Sequence, residues 1–140
     1  MRSLLALLLP ALLLLACGKG ELDPGTLKDN PFDPDYAGPP VFLLDTTYAR
    51  SVSTPSGPVQ QQVIAFRVRS ELFLSPVRFS VRVEDTAYGL TEVIDPDPVG
   101  SSHFNYVRLG WQVGVPVCLR LSLFNDQSAA RAEEICATLQ

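Results

Sequence analysis

The chain reads as an all-β protein: an antiparallel two-sheet β-sandwich, preceded by a signal peptide and a disordered tether. Three observations predict it. Stretches 63–69, 77–84, 116–124 and 133–139 alternate apolar and polar residues with a period of two, the pattern of strands buried on one face. Clusters of Pro, Gly, Asn, Asp and Ser part these stretches at regular intervals, as in sandwiches. No amphipathic helix alternates with the strands, so an α/β fold is disfavoured.

The first element is a leader, residues 1–16. Arg2 is its only charge, and Leu4–Leu15 is nearly all Leu and Ala, broken once by Pro10. Twelve apolar residues fall short of the roughly 20 that cross a hydrocarbon core. They fit the apolar region of a signal peptide. The next four residues, Leu14-Leu15-Ala16-Cys17, resemble the lipobox of bacterial lipoproteins. That resemblance implies removal of residues 1–16 and acylation of Cys17, whose two or more chains, palmitate among them, hold a protein firmly on a membrane. Gly18 follows where inner-membrane lipoproteins carry Asp, which is compatible with the outer membrane of the cell envelope.

Residues 17–40 form the expected tether. Gly18, Gly20, Gly25 and Gly38 alternate with Pro24, Pro31, Pro34, Pro39 and Pro40, leaving little apolar surface to bury. Its 23 residues after Cys17 span at most about 76 Å. Within it, Asn30-Pro31-Phe32-Asp33-Pro34-Asp35-Tyr36 resembles the Asn-Pro-Phe-Asp-Pro segment of many Gram-negative lipoproteins, often found ahead of fibronectin-type or immunoglobulin-like sandwiches. Asp29, Asp33 and Asp35 offer oxygens to calcium, but their spacing is not that of an EF-hand loop, and prolines between acids suit tight turns. Phe32 and Tyr36 are the residues able to dock the tether on the domain.

Residues 41–140 make up the domain. Val41–Asp45 is a short strand and Ser51–Pro58 reads as a loop. Next, Ile64, Phe66 and Val68 face one way, Ala65, Arg67 and Arg69 the other. Val77, Phe79, Val81 and Val83 likewise oppose Arg78, Ser80, Arg82 and Glu84. Leu90–Ile94 is a brief strand in a turn-rich stretch, and Phe104–Val113 is another, with Trp111 in or near the core. In Pro116–Phe124, Val117, Leu119, Leu121 and Leu123 point inward and Cys118, Arg120 and Ser122 outward. In the last strand Ile135, Ala137 and Leu139 oppose Glu134, Cys136 and Thr138, although a short helix over Ala129–Ile135 competes with it.

The stretch Gly114–Asn125, with Arg120 and Asn125 at the expected mutual spacing, resembles the F strand of fibronectin type III domains, and Ser128–Thr138 resembles their G strand. The sequence departs from that pattern at Val117, which stands where a corner tyrosine belongs, so the corner hydrogen bond is lost. The resemblance implies a fibronectin type III-like or, more broadly, immunoglobulin-like sandwich.

If the last two strands form a hairpin centred on Gln127, Cys118 and Cys136 face each other across it. Opposed residues in such a pair lie within disulfide reach, and export supplies an oxidising compartment. Two free thiols, or a slipped register, are the alternatives. No Cys-x-x-Cys marks a redox site.

Chemistry is otherwise sparse. His103 is the only histidine, has no Gly-x-Ser-x-Gly nucleophile elbow beside it, and with no Cys/His cluster makes no transition-metal site. Glu84, Asp85, Glu92, Asp95 and Asp97 could pair as glycosidase acids, yet they sit in or beside a proline-rich loop. Arg67, Arg69, Arg78 and Arg82 form an outward basic stripe facing Glu71 and Glu84. Loss of Arg2 with the leader leaves 10 basic against 15 acidic residues, a formal charge of −5, which disfavours nucleic acid. The sequence therefore points to no catalytic residue, metal or cofactor. It points to a non-catalytic binding or structural module, held on a membrane through Cys17, with an envelope protein or glycan as partner. The alternative is an accessory subunit of a secretion, motility or uptake assembly, and the remote one a small envelope hydrolase.

Overall fold

The computed structural model describes residues 30–73, 78–110, 112–125 and 128–139. The lipobox with Cys17, Asp29, Val77, Trp111 and Gln127 lie outside the described residues. Eight strands make up nearly all of the regular structure: β1 (Phe42–Thr54), β2 (Gly57–Val68), β3 (Ser80–Asp85), β4 (Leu90–Ile94), β5 (His103–Arg108), β6 (Pro116–Asn125), β7 (Ser128–Ala129) and β8 (Glu133–Thr138). A 3-10 turn at Ser70–Leu72 is the only helical piece among the described residues. Ala129–Ile135 is not helical; β7 and β8 fall there.

Two antiparallel sheets form the sandwich. One has the order β1-β2-β5; the other runs β4-β3-β6, with β7 and β8 both pairing β6. The inward parity read from the sequence holds on the described part of each strand. Ile64, Phe66, Val81, Val83, Leu119 and Leu121 are wholly inaccessible to solvent. Phe66 and Phe104 stack across neighbouring strands of the first sheet, ring centroids 5.5 Å apart and planes 8° from parallel, worth about 1 kcal/mol beyond burial. Arg78 and Arg120 stay exposed on the outer side.

The Ser51–Pro58 loop is corrected. β1 continues to Thr54 and β2 begins at Gly57, with Ser51 opposite Gln60 and Val52 opposite Val59. Only Pro55 and Ser56 turn, and Gly57 closes the turn at φ 115°, a conformation side chains resist. β5 pairs β2 only from Gln62 to Arg67. The hairpin therefore runs on past the sheet as a two-stranded arm, about 20 Å long at strand rise.

The hairpin of β6 and β8 carries a register change. Near the turn Phe124 pairs Ala129 and Asn125 pairs Ser128. From Leu121–Glu133 onward the pairing is displaced by one residue. An extra residue is taken up across Ala130–Ala132, as in a β-bulge, and it brings Cys118 opposite Cys136.

Candidate functional site

Cys118 and Cys136 are joined as a disulfide, with the Cα atoms 4.0 Å apart. The Glu134 carboxylate lies 3.8 Å from the Cys136 sulfur. These three are the kind of group that holds a metal, but joined sulfurs leave no thiolate to bind one. The bridge sits at the surface and ties the edge strand β8 to β6.

Residues 30–41 build a latch. Asn30 accepts the Phe32 N–H with its side chain at 3.1 Å and the Asp33 N–H with its carbonyl at 2.8 Å. Asp33 repeats this with Asp35 at 2.8 Å and Tyr36 at 3.1 Å. Each turn carries Pro at its second position, the residue that pre-sets such turns. The acids thus serve turn geometry. Phe32 lands against Phe73 and Phe79, centroids 5.7 and 6.4 Å away. Tyr36 is 4% exposed and donates its hydroxyl to the Pro39 carbonyl at 3.0 Å. Its ring fills the place a Cβ on residue 38 would need, hence Gly38. Arg131 donates to the Tyr36 carbonyl at 3.1 Å. The Glu133 carboxylate accepts the N–H groups of Val41 and Phe42 at 2.9 and 3.2 Å. Phe32 and Tyr36 therefore dock the end of the tether.

At the opposite end the sandwich closes on charge. The inward positions of β3 run Val81, Val83, Asp85, and those of β5 run Phe104, Tyr106, Arg108. Asp85 and Arg108 are 1% and 8% exposed and meet at 3.3 Å. Asp85 also accepts the Tyr106 hydroxyl at 3.2 Å and the N–H groups of Ala87 and Tyr88 at 3.2 and 3.3 Å. Arg108 lies 3.9 Å from the Tyr88 ring centre, a desolvated cation–π contact. Burial above all, then the charge of Asp85 and the hydrogen bond to it, push the Tyr106 hydroxyl well above the ordinary tyrosine range. Every acceptor site of Asp85 that faces the interior is occupied, so the group works as an inter-sheet clamp. The outward parity read through Glu84 stopped one residue short of it.

The remaining candidates disperse. His103 is exposed at the start of β5. Asp95 takes the Ser80 hydroxyl at 2.5 Å and Asp97 the Asn105 amide at 3.2 Å, while Glu84 pairs with Arg120 at 3.3 Å. The basic stripe divides: Arg67 meets Asp45 at 3.5 Å, Arg69 meets Glu71 at 2.9 Å, and Arg82 covers the Phe124 ring at 5.0 Å. A cleft of about 690 Å³ opens between Arg78, Ser80, Asp95, Pro96, Phe124 and Asn125, at the latch end. It gathers one cation and one already bonded carboxylate. Searches of protein-family models, curated proteins and solved structures gave no match to this chain.

Proposed function

We propose that the protein is a lipid-anchored module of the cell envelope. Cys17 carries the acyl chains, and a non-catalytic sandwich of fibronectin type III-like or immunoglobulin-like kind binds an envelope protein or glycan. One observation carries this reading: the molecule has a root and a tip. The latch fixes the end of the tether beside Phe73 and Phe79, while β1 leaves that latch and runs 13 residues, about 43 Å, to a hairpin tip at the far end. A domain fastened at one end and extended at the other suits display. The sandwich subtype is supported by β4, which sits beside β3 rather than in the first sheet, unlike the fourth strand of constant immunoglobulin domains. The non-catalytic reading is supported by the full set of partners on Asp85. The free edges of the hairpin arm favour the second reading, an accessory subunit that docks by strand addition.

Metabolic labelling tests the anchor. The wild type is expected to incorporate a palmitate analogue and Cys17→Ser to incorporate none. A wild type without label, or a labelled Cys17→Ser, overturns the lipoprotein reading.

A further inference from the structure

The tip is a charge-free surface. Residues 51–66, 86–91 and 109–119 contain no Asp, Glu, Lys, Arg or His. The strand pairings bring all three to one end: Gln62 pairs Arg108, Asp85 pairs both Leu90 and Leu119, and Asp85 meets Arg108. The only charges just beneath are Asp85 and Arg108, buried and matched to each other. Arg50 stands on the arm and Glu92 two residues along β4. The acids and bases otherwise gather toward the root, at Asp33, Asp35, Arg69, Glu71, Asp95 and Asp97. The tip also exposes apolar side chains: Tyr88 (51%), Leu90 (58%), Leu109 (58%), Val113 (72%) and Val115 (46%). Tyr88 reaches toward Gly110, so the 86–90 turn and the loop after β5 are continuous.

Beside them stands the arm, exposed along most of its length. An isolated two-stranded ribbon is marginal in water, and its edges offer unpaired N–H and C=O groups without the charges that usually blunt such edges. Depletion of charge around exposed aromatic and aliphatic groups is what the centre of a protein interface looks like.

We infer that the occupant of this tip is a second copy of the same chain, joined through a two-fold, tip-to-tip contact of the arms and the apolar loops. The argument is one of charge. The whole chain carries a formal −4, so two copies repel over most approaches, and the charge-free end lets them meet without opposing like charges. Antiparallel pairing of two identical strand edges is itself two-fold and closes, leaving no further edge to grow from. A bilayer is the wrong solvent for the arm, because its unpaired backbone groups cannot enter hydrocarbon. A charged partner would be desolvated against a surface with nothing to answer it. The inference specifies a partner for the binding module proposed above; it does not depend on acylation of Cys17.

The test uses the mature chain, residues 17–140 with Cys17→Ser, which contains every described residue. Sedimentation equilibrium is expected to give a dimer, and the dissociation constant is expected to hold steady from about 0.05 M to about 1 M salt. Leu109→Glu with Val113→Glu, both at exposed positions, is expected to leave the circular dichroism and melting unchanged and to weaken the dimer about tenfold or more. A second variant, with 51–58 replaced by Asn-Gly, is expected to weaken it as well. A monomer at about 100 μM, a dimer that both variants preserve, or a dimer that salt dissolves overturns the inference. So does a monomer that binds phosphatidylcholine vesicles, or one that cross-links in cells only to a different protein through the tip. Palmitate labelling reads the anchor separately, so either result can fail alone.

Discussion

Removing the Asp85 carboxylate would leave the Arg108 guanidinium buried with no counter-charge, and breaking such a pair costs about 3–5 kcal/mol. Asp85→Ala is therefore expected to lower the unfolding free energy by that amount in urea titration. The paired change Asp85→Leu with Arg108→Met is expected to cost much less, since matched apolar groups can replace a buried pair. Near-equal losses for the single and the double variant would mean that the charges do not act as a clamp. Tyr106 adds a pH dependence. Its hydroxyl holds its proton more tightly when folded than when unfolded. That contribution is complete below the unfolded value of about 10 and is lost as pH rises above it toward the folded value, because only the unfolded chain then releases the proton. Stability should fall above about pH 10, and Tyr106→Phe should flatten that fall while costing about 1 kcal/mol at neutral pH through the lost hydrogen bond. Unfolding curves from neutral to alkaline pH read both effects. The clamp was legible in principle. Continuing the period of two by one residue puts Asp85 and Arg108 inward on two strands, with opposite signs.

Among the elements, the edge strand β8 depends on its covalent tie. A loop of 19 residues, Cys118 to Cys136 inclusive, contributes roughly 3 kcal/mol by the chain-entropy account. Cys118→Ser with Cys136→Ser should lose about that much, and thiol mapping of the wild type without reductant should find neither cysteine free. Quantitative alkylation of both would remove the bridge from the account. The hairpin arm behaves oppositely. It buries little, so replacing 51–58 with Asn-Gly, a two-residue turn that suits a hairpin, should change monomer stability by less than about 1 kcal/mol. The sequence signals explain which elements were readable. β4, Leu90–Ile94, was readable by its bounds, and β6 by its strict alternation. The far half of β1 was not, because an arm with no buried face has no hydrophobic period to display. Ser, Thr, Pro and Gly there look like a loop until Gln60–Gln62 pair with them across the hairpin. The facing of Cys118 and Cys136 followed from the hairpin register, while the one-residue shift nearer the turn left no mark in the residue pattern.

For the whole molecule, the question is where folded structure begins. Composition marks residues 17–40 as tether, because Gly and Pro dominate and only scattered apolar side chains break them. Yet Phe32 and Tyr36 are 8% and 4% exposed, and two Asx-Pro turns hold their backbones ready to dock. Losing a buried aromatic side chain costs about 3–5 kcal/mol, comparable to a large part of the 5–15 kcal/mol that holds an ordinary domain together. A chain starting at Val41 would forfeit both rings and the Arg131 contact to Tyr36, and would open the end of the core around Phe73 and Phe79. A chain starting at Asn30 keeps all of these. The expected outcome is a cooperative melt for residues 30–140 close to that of residues 17–140. Residues 41–140 should melt many degrees lower or fail to fold. Gly38→Ala in the longer chain should reproduce part of the loss, about 1–3 kcal/mol, by driving the Tyr36 ring from its seat. If residues 41–140 melt like the longer chain, the latch contributes no stability. Traction on the anchored N-terminus would then pass straight to β1, instead of being borne first by Phe32, Tyr36 and the Glu133 carboxylate that grips the start of that strand.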